Sequence, residues 1–340
     1  MTTKRYVWQP TNAEIAERFG IDRNHVVRFD QNTSPDSTDW TAPLVPPVLS
    51  ELNEYPAASY RPLREAAARY AGVDPEQVVP GAGVDELIIL AARAFLSAGA
   101  RAQGYTPTYP LYQIATEQQG ATFDGLSGTP PDSSRGADLT WICVPNNPTG
   151  RRLPDETIEG VIEASPGIVV LDAAYAEFTN DVWGEWIGRY NHLLVLHTLS
   201  KGFGLAGIRV GYAIGNPALI DEIDRIRPPG SISSVSNTLA IAALSAPDRM
   251  RGSVNRLITE RGRFRDRLRA LDLDVPPSEA NFLLAHIGPD AQSLAAGLMR
   301  EGLVVREFPH IPQLLEYLRF TVRSKTDNDR LVDTIERIRT

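Results

Sequence analysis

Three near-continuous apolar runs limit what this chain can fold into more than any other feature: Leu139-Thr140-Trp141-Ile142-Cys143-Val144, Ile168-Val169-Val170-Leu171 and Leu193-Leu194-Val195-Leu196. A strand with one wet face alternates apolar and polar residues. Runs without alternation, separated by helical stretches, read as strands covered on both faces of a parallel sheet. The intervening segments fit that reading. Arg61 to Tyr70 has a proline near its start and Gly72 just past its end, and Val84 to Ala98 is a strongly apolar helix. Asp85 and Glu86 lie in its first turn, where acids suit the helix dipole. The expected architecture is α/β: a large domain, residues 46–236, with a mostly parallel central sheet flanked by helices.

The texture changes after about residue 236. An arginine-rich amphipathic helix, roughly Arg249 to Leu271, leads to a strand at Asn281 to His286 and a helix at Ala291 to Glu301. Leu303 to Arg306, Leu318 to Val322 and a last helix opened by Thr326-Asp327 follow. These predict a smaller α+β domain over 237–340, completed by a polar, proline-punctuated N-terminal arm, 1–45. A length of 340 residues suits two such parts. The net charge of −8 disfavours nucleic acid or an anionic membrane surface as the main partner. Cys143 is the only cysteine, so no internal disulfide can form and a reducing cytoplasm is expected. No run of about 18 uncharged apolar residues exists to span a membrane. No metal is expected.

In parallel sheets ligands bind beyond the carboxyl ends of the strands, and the chemistry-bearing residues fall there. Lys201 follows the third run, flanked by Thr198 and Ser200, with Gly202, Gly204 and then Arg209. A protonated lysine is inert as a nucleophile; desolvation or a neighbouring cation must lower its pKa before it forms a Schiff base. The site at the sheet mouth supplies the first and Arg209 the second. Arg209 also offers a planar cation suited to phosphate oxygens. Gly81-Ala82-Gly83-Val84-Asp85 places glycines at a helix N-terminus, a ready anion site. Asp172 ends the second run, where an unpaired carboxylate is costly. It either caps the next helix or meets a cation such as a pyridinium nitrogen, which it would keep protonated. Tyr175 is placed to donate to a phenolate oxygen, or packs as a core tyrosine. Asn146-Asn147-Pro148-Thr149-Gly150 is either a plain turn by composition or, from its place at a strand end, a turn with one amide facing a ligand. Tyr109 either stacks on a planar ring or serves packing alone.

Taken in order, T-L-S-K-x-F-x-L-A-G-x-R, N-N-P-T-G, D-x-A-Y-x-E-F, P-T-Y and Y-P resemble the fold-type I pyridoxal-phosphate aminotransferases, and within them the histidinol-phosphate aminotransferase branch. The resemblance runs collinearly from about Asn32 to Arg330. It implies the cofactor pyridoxal 5′-phosphate, joined to Lys201 as a Schiff base. Lys201 then moves the proton, Asp172 pairs with the pyridine nitrogen, and Asn147 and Tyr175 hold the ring oxygen. Tyr109 stacks on the ring. Gly83, Val84 and Asp85, with Thr198, Ser200 and Arg209, hold the phosphate, joined by Tyr55 from a second subunit. A homodimer with shared sites follows. The same resemblance makes Arg319 the clamp for a substrate carboxylate and Arg306 the contact for a substrate phosphate, with Asn147 and Asn32 also at the substrate. It implies a ping-pong transfer from histidinol phosphate or an aromatic amino acid to a 2-oxo acid such as 2-oxoglutarate, a step of amino-acid and histidine biosynthesis.

Four positions depart from that pattern. Ala173 replaces an acid, and Val84 a hydroxyl residue. Asp36 stands where the pattern carries an aromatic, and Arg323 where it carries glycine after L-R-F-T-V. Asp36 suits an anionic substrate tail poorly. Two other readings share the motifs: a phosphothreonine-type decarboxylase, which breaks Cα–COO⁻ rather than Cα–H, and a non-catalytic cofactor-binding protein.

Overall fold

The computed structural model describes residues 9–35, 52–127 and 136–339. Along the chain its strands are β1 (Val27–Arg28), β2 (Val78–Gly81), β3 (Arg101–Thr106), β4 (Thr122–Ser127), β5 (Leu139–Cys143), β6 (Ile168–Asp172), β7 (Leu193–Thr198), β8 (Gly211–Gly215), β9 (Phe282–His286), β10 (Leu303–Val304) and β11 (Tyr317–Thr321). Seven of them form one sheet in the order β2-β8-β7-β6-β5-β3-β4. β3 to β7 run parallel to their neighbours, and β8 alone runs antiparallel to both β2 and β7. The sheet is therefore α/β and mostly parallel.

The apolar runs behave as their lack of alternation predicts. Ile142, Val169, Leu171, Leu193 and Val195 join one core cluster, while Trp141, Cys143, Val170, Leu194 and Leu196 join the cluster on the opposite face. Both faces are dry, so positions on either face of these runs are apolar except Thr140, whose hydroxyl accepts from Gln103 Nε2.

Helix Arg61–Ala71 starts with proline in its first turn and stops at Gly72 in the left-handed region, as its sequence signals require. The helix after Gly83 is shorter than its periodicity suggests. It ends at Phe95 rather than Ala98, because Leu96 takes an extended conformation and the chain turns through Gly99 (φ +84°) into β3. Helix Pro247–Arg269 begins two residues before the expected start. The N-terminal segment is not without structure of its own. Asn12–Phe19 is a helix with a Thr11–Glu14 capping box.

Two small sheets lie outside the large one. β1 pairs in parallel with β10, and β9 pairs antiparallel with β11. One continuous apolar core runs from Phe29 through the large sheet to Ile335. Residue 236 lies inside helix Ser234–Leu244, which packs on helix Arg61–Ala71. Among the described residues no helix is long and apolar enough to cross a membrane, and no group of three His, Cys, Asp or Glu could hold a metal ion.

Candidate active site

Strand register gathers the site. Cys143 lies beside Asp172, Asp172 beside Leu196, and Thr198 and Gly81 both beside Gly211. The ends of β2, β5, β6 and β7 thus share one edge, where β8 begins.

On one side of that edge is an anion cradle. β2 turns through Gly83 (φ +83°) into helix Val84–Phe95. A Cβ on Gly83 would lie 2.6 Å from Arg209 Nη2, so the guanidinium rests against the helix start only because the residue is glycine. Arg209 Nη1 donates to Ser200 Oγ at 3.5 Å and to Ala206 O at 3.1 Å, while Nη2 donates to Asp85 Oδ2 at 3.2 Å. Tyr109 Oη donates to Asp85 Oδ1 at 3.0 Å, and Ser200 N donates to Thr198 Oγ1 at 3.1 Å. A helix N-terminus, two hydroxyls and a guanidinium converge, which is a phosphate-type donor set. Asp85 takes part of the arginine's charge in this state.

Asp172 lies beside the cradle and is 4% exposed. Tyr112 Oη donates to Oδ2 at 2.6 Å and Ala174 N to Oδ1 at 3.0 Å. Among the described residues Asp172 forms no ion pair; its hydrogen-bond partners are a neutral hydroxyl and an amide, and the Lys201 charge acts on it more weakly. Burial pushes its carboxyl up to about 6 against those two hydrogen bonds. Tyr112 was not foreseen from the sequence. Its signal is weak, three residues beyond Tyr109 in a short helix, and its partner is sixty positions away. The ring also stacks on Trp141, with centroids 5.1 Å apart and planes at 10°, which fixes the hydroxyl over Asp172.

Lys201 reaches into the same cleft, still partly open to solvent. Nζ lies 6.0 Å from the Tyr175 ring centroid and donates to Gln31 O at 3.4 Å. Burial pulls its ammonium down to about 8, and the Arg319 cation adds more to that shift than Arg209 does. The sequence reading credited Arg209 because it is close in the chain. Arg319 acts more strongly because β11 carries it across from a different sheet.

Arg319 is 6% exposed, which excludes a surface edge-strand role. Its Nη2 donates to Asp30 O at 2.7 Å, Nη1 donates to Asn147 Oδ1, and the guanidinium lies 5.1 Å over the Phe282 ring. Asn32 (φ +51°) donates through Nδ2 to Tyr175 Oη at 3.0 Å and accepts from Thr321 Oγ1 at 3.0 Å. The segment Asp30–Asn32 thus bridges Arg319, Lys201 and Tyr175 with two carbonyls and one amide. The sequence reading had only Asn32 there, because backbone acceptors leave no trace in residue type. Arg306 is half-buried beside Arg319, joined by paired backbone bonds of 3.1 and 3.0 Å.

The structure brings together Gly83, Val84, Asp85, Tyr109, Asn147, Asp172, Tyr175, Thr198, Ser200, Lys201, Arg209, Arg319 and Asn32. It does not bring Tyr55 to them. That side chain is 97% exposed and borders a surface pocket with Ser234 and Asn237. Asp36 lies outside the described residues. Arg323 donates to Thr33 O at 3.2 Å.

A lysine held near neutrality and a buried acid, at the carboxyl edge of a mostly parallel sheet and beside an anion cradle, define an enzyme that works through amine chemistry. The chain belongs to the family of class I and II aminotransferases, whose pattern it matches over residues 48–335, and it is an enzyme of the pyridoxal-phosphate aminotransferase type. It is 30% identical to a histidinol-phosphate aminotransferase of Methanosphaera stadtmanae, over 98% of this chain and 96% of that one. It is 35% identical to histidinol-phosphate aminotransferase 2 of Archaeoglobus fulgidus, over 84% and 85%. The crystal structure of histidinol-phosphate aminotransferase from Sinorhizobium meliloti in complex with pyridoxal-5′-phosphate superposes with a TM-score of 0.88, covering 98% and 96% of the two chains at 23% identity.

Proposed function

We propose that the chain transfers an amino group from histidinol phosphate or an aromatic amino acid to a 2-oxo acid such as 2-oxoglutarate, with pyridoxal phosphate held at the strand mouths. The observation that carries this reading is Asp172: a buried carboxylate, raised in pKa, with hydroxyl and amide partners but no cation. A protonated ring nitrogen supplies the missing charge. The cradle at Gly83–Asp85, Thr198, Ser200 and Arg209 suits the cofactor phosphate. Tyr109 suits its ring face, and Asn147 with Tyr175 its ring oxygen.

When bound, the cofactor supplies an electron sink for the pair left behind when Cα loses its proton. The chain's own residues do the rest. Lys201, partly neutral at pH 8, takes the Cα proton on Nζ and returns it. Arg319 orients the carboxylate of an aromatic amino acid or of the 2-oxo acid by a two-pronged contact, with Asn147 and Asp30 O holding its plane. Arg306, beside it, suits a substrate phosphate. Asn32 holds Tyr175 in place.

A cytoplasmic homodimer belongs to the same reading. Tyr55 is too exposed to serve its own chain and suits a partner's cofactor phosphate. So does a division into a large cofactor-binding part, 46–236, and a smaller part built from 1–45 and 237–340.

A half-reaction screen tests the substrates. Loss of the visible cofactor band on adding histidinol phosphate or phenylalanine, with the keto product appearing, supports the proposal. Carbon dioxide release from phosphothreonine, with no amino transfer from the other two, overturns it in favour of a decarboxylase.

A further inference from the structure

Three arginines of helix Pro247–Arg269 have carboxylate partners. Arg251 pairs with Asp248, Arg263 with Glu260 and Asp329, and Arg267 with Asp329 and Asp333. Arg261 and Arg265 differ. They lie one helical turn apart on one face, and neither forms an ion pair. Arg261 Nη1 donates to Ala280 O at 2.8 Å and Arg265 Nε donates to Val275 O at 2.8 Å. Those bonds hold the two guanidiniums against the 275–280 turn, and among the described residues their other N–H groups meet no protein acceptor.

Both side chains line a cavity of about 200 Å3, whose other walls include Ile258, Pro277, Ser278 and Leu283. Burial lowers the Arg261 pKa, and among the described residues the acid acting on it is the exposed Glu279. Two guanidiniums thus face one cavity, and Arg261 has lost part of its hydration there, a setting that suits an anion. Planar forks of N–H donors beside a small apolar wall match a tetrahedral oxyanion carrying a short organic group.

The cavity also adjoins the catalytic edge. A Cβ on Gly150 (φ +71°) would lie 2.1 Å from Ser278 Oγ, and Glu279 N donates to Gly150 O at 2.8 Å. Gly150 N in turn donates to Asn146 O at 2.7 Å, closing the loop that carries Asn147. We propose that this cavity is a second oxyanion site, for phosphate or a small phosphate monoester, whose occupant braces the 275–280 turn against the Asn146–Gly150 loop.

The test uses the cofactor-loaded enzyme, so that the cofactor's own phosphate site is filled. Inorganic phosphate and glycerol 3-phosphate are titrated calorimetrically, with sodium chloride at matched ionic strength as control, and melting is followed in parallel. Binding should saturate, persist in Arg306→Gln, and weaken at least tenfold in the double variant Arg261→Gln/Arg265→Gln. Tighter binding of glycerol 3-phosphate assigns a phosphate ester as occupant, and equal affinity assigns free phosphate. Gly262→Asp is the second variant: nothing lies within 4 Å of a Cβ there, so the helix accepts it, and its carboxylate adds an acid to the cavity lining three residues before Arg265. It should abolish phosphate binding, and phosphate should raise the melting temperature of the parent but not of this variant. Undiminished binding in both variants, loss of binding in Arg306→Gln, or an equal response to chloride overturns the proposal.

Discussion

Lys201 and Asp172 are displaced toward neutrality from opposite directions, the amine down to about 8 and the acid up to about 6. Burial is the first cause for both, and the neighbours decide the rest. Removing the Arg319 cation must raise the lysine's pKa, because like charge disfavours the ammonium. Capture of pyridoxal phosphate by the apoenzyme should therefore speed up as pH rises through about 8 and then level off. Arg319→Gln should move that inflection upward, which stopped-flow absorbance reads directly; an unmoved inflection would mean that Arg319 does not act on Lys201. At this scale the sequence was informative about residue types and poor about neighbours. Lys201 and Asp172 announce themselves by sitting at the ends of apolar runs, whereas Arg319, inside Leu318–Val322, is picked out by the family resemblance alone. Tyr112 and the carbonyls of Asp30 and Gln31 do not, because their part depends on contacts between distant segments.

Elements place these residues by register. Strand ends aligned on Gly211 bring Thr198 and Gly81 together, and helix Val84–Phe95 then points its N-terminus at the same spot. That turn depends on Gly83. Gly83→Ala must push Arg209 Nη2 away from 2.6 Å contact and force alanine to φ near +83°. The strain costs about 1 kcal/mol or more. The expected result is a lower melting temperature and a cofactor dissociation constant raised about tenfold, measured by fluorescence titration of the apoenzyme. Unchanged cofactor affinity would separate the cradle from cofactor binding. The three buried strands were legible because only Thr140 interrupts their apolar runs. β3 and β4, reading RAQGYT and TFDGLS, were not, since β4 is a half-exposed edge and both carry glycine. β2 contains Pro80, which argues against a strand by composition; its place at the sheet edge is what tolerates it.

Stability and assembly belong to the whole molecule. Glu177 is buried among core groups, its Oε2 has no hydrogen-bond partner, and burial pushes its carboxyl up to about 8 from 4.5. The folded protein then holds this proton more tightly than the unfolded chain does. Its contribution is intact below pH 4.5 and lost as pH rises toward 8. Glu177→Gln should raise the melting temperature by more at pH 8 than at pH 5, and an equal change at both would deny the carboxyl its role. Assembly is tested by mixing two inactive variants. If Tyr55 serves the partner's cofactor, Lys201→Ala and Tyr55→Ala chains combined should regain part of the activity, since one mixed site carries neither substitution. No recovery from subunits shown to exchange would place Tyr55 outside the site. The single apolar core from Phe29 to Ile335 was not readable from the change in texture after 236, because pattern in one segment says nothing of what packs on it.

The central claim is that Lys201 is the amine that receives pyridoxal phosphate. The chain suits a direct test, since only Lys4, Lys201 and Lys325 among its 34 basic residues are lysines. The protein is incubated with pyridoxal phosphate at pH 8, reduced with borohydride, digested and analysed by mass spectrometry. The account predicts one phosphopyridoxyl group per chain, on Lys201, and none in Lys201→Ala. Modification confined to Lys4 or Lys325, or no modification at all, would contradict it.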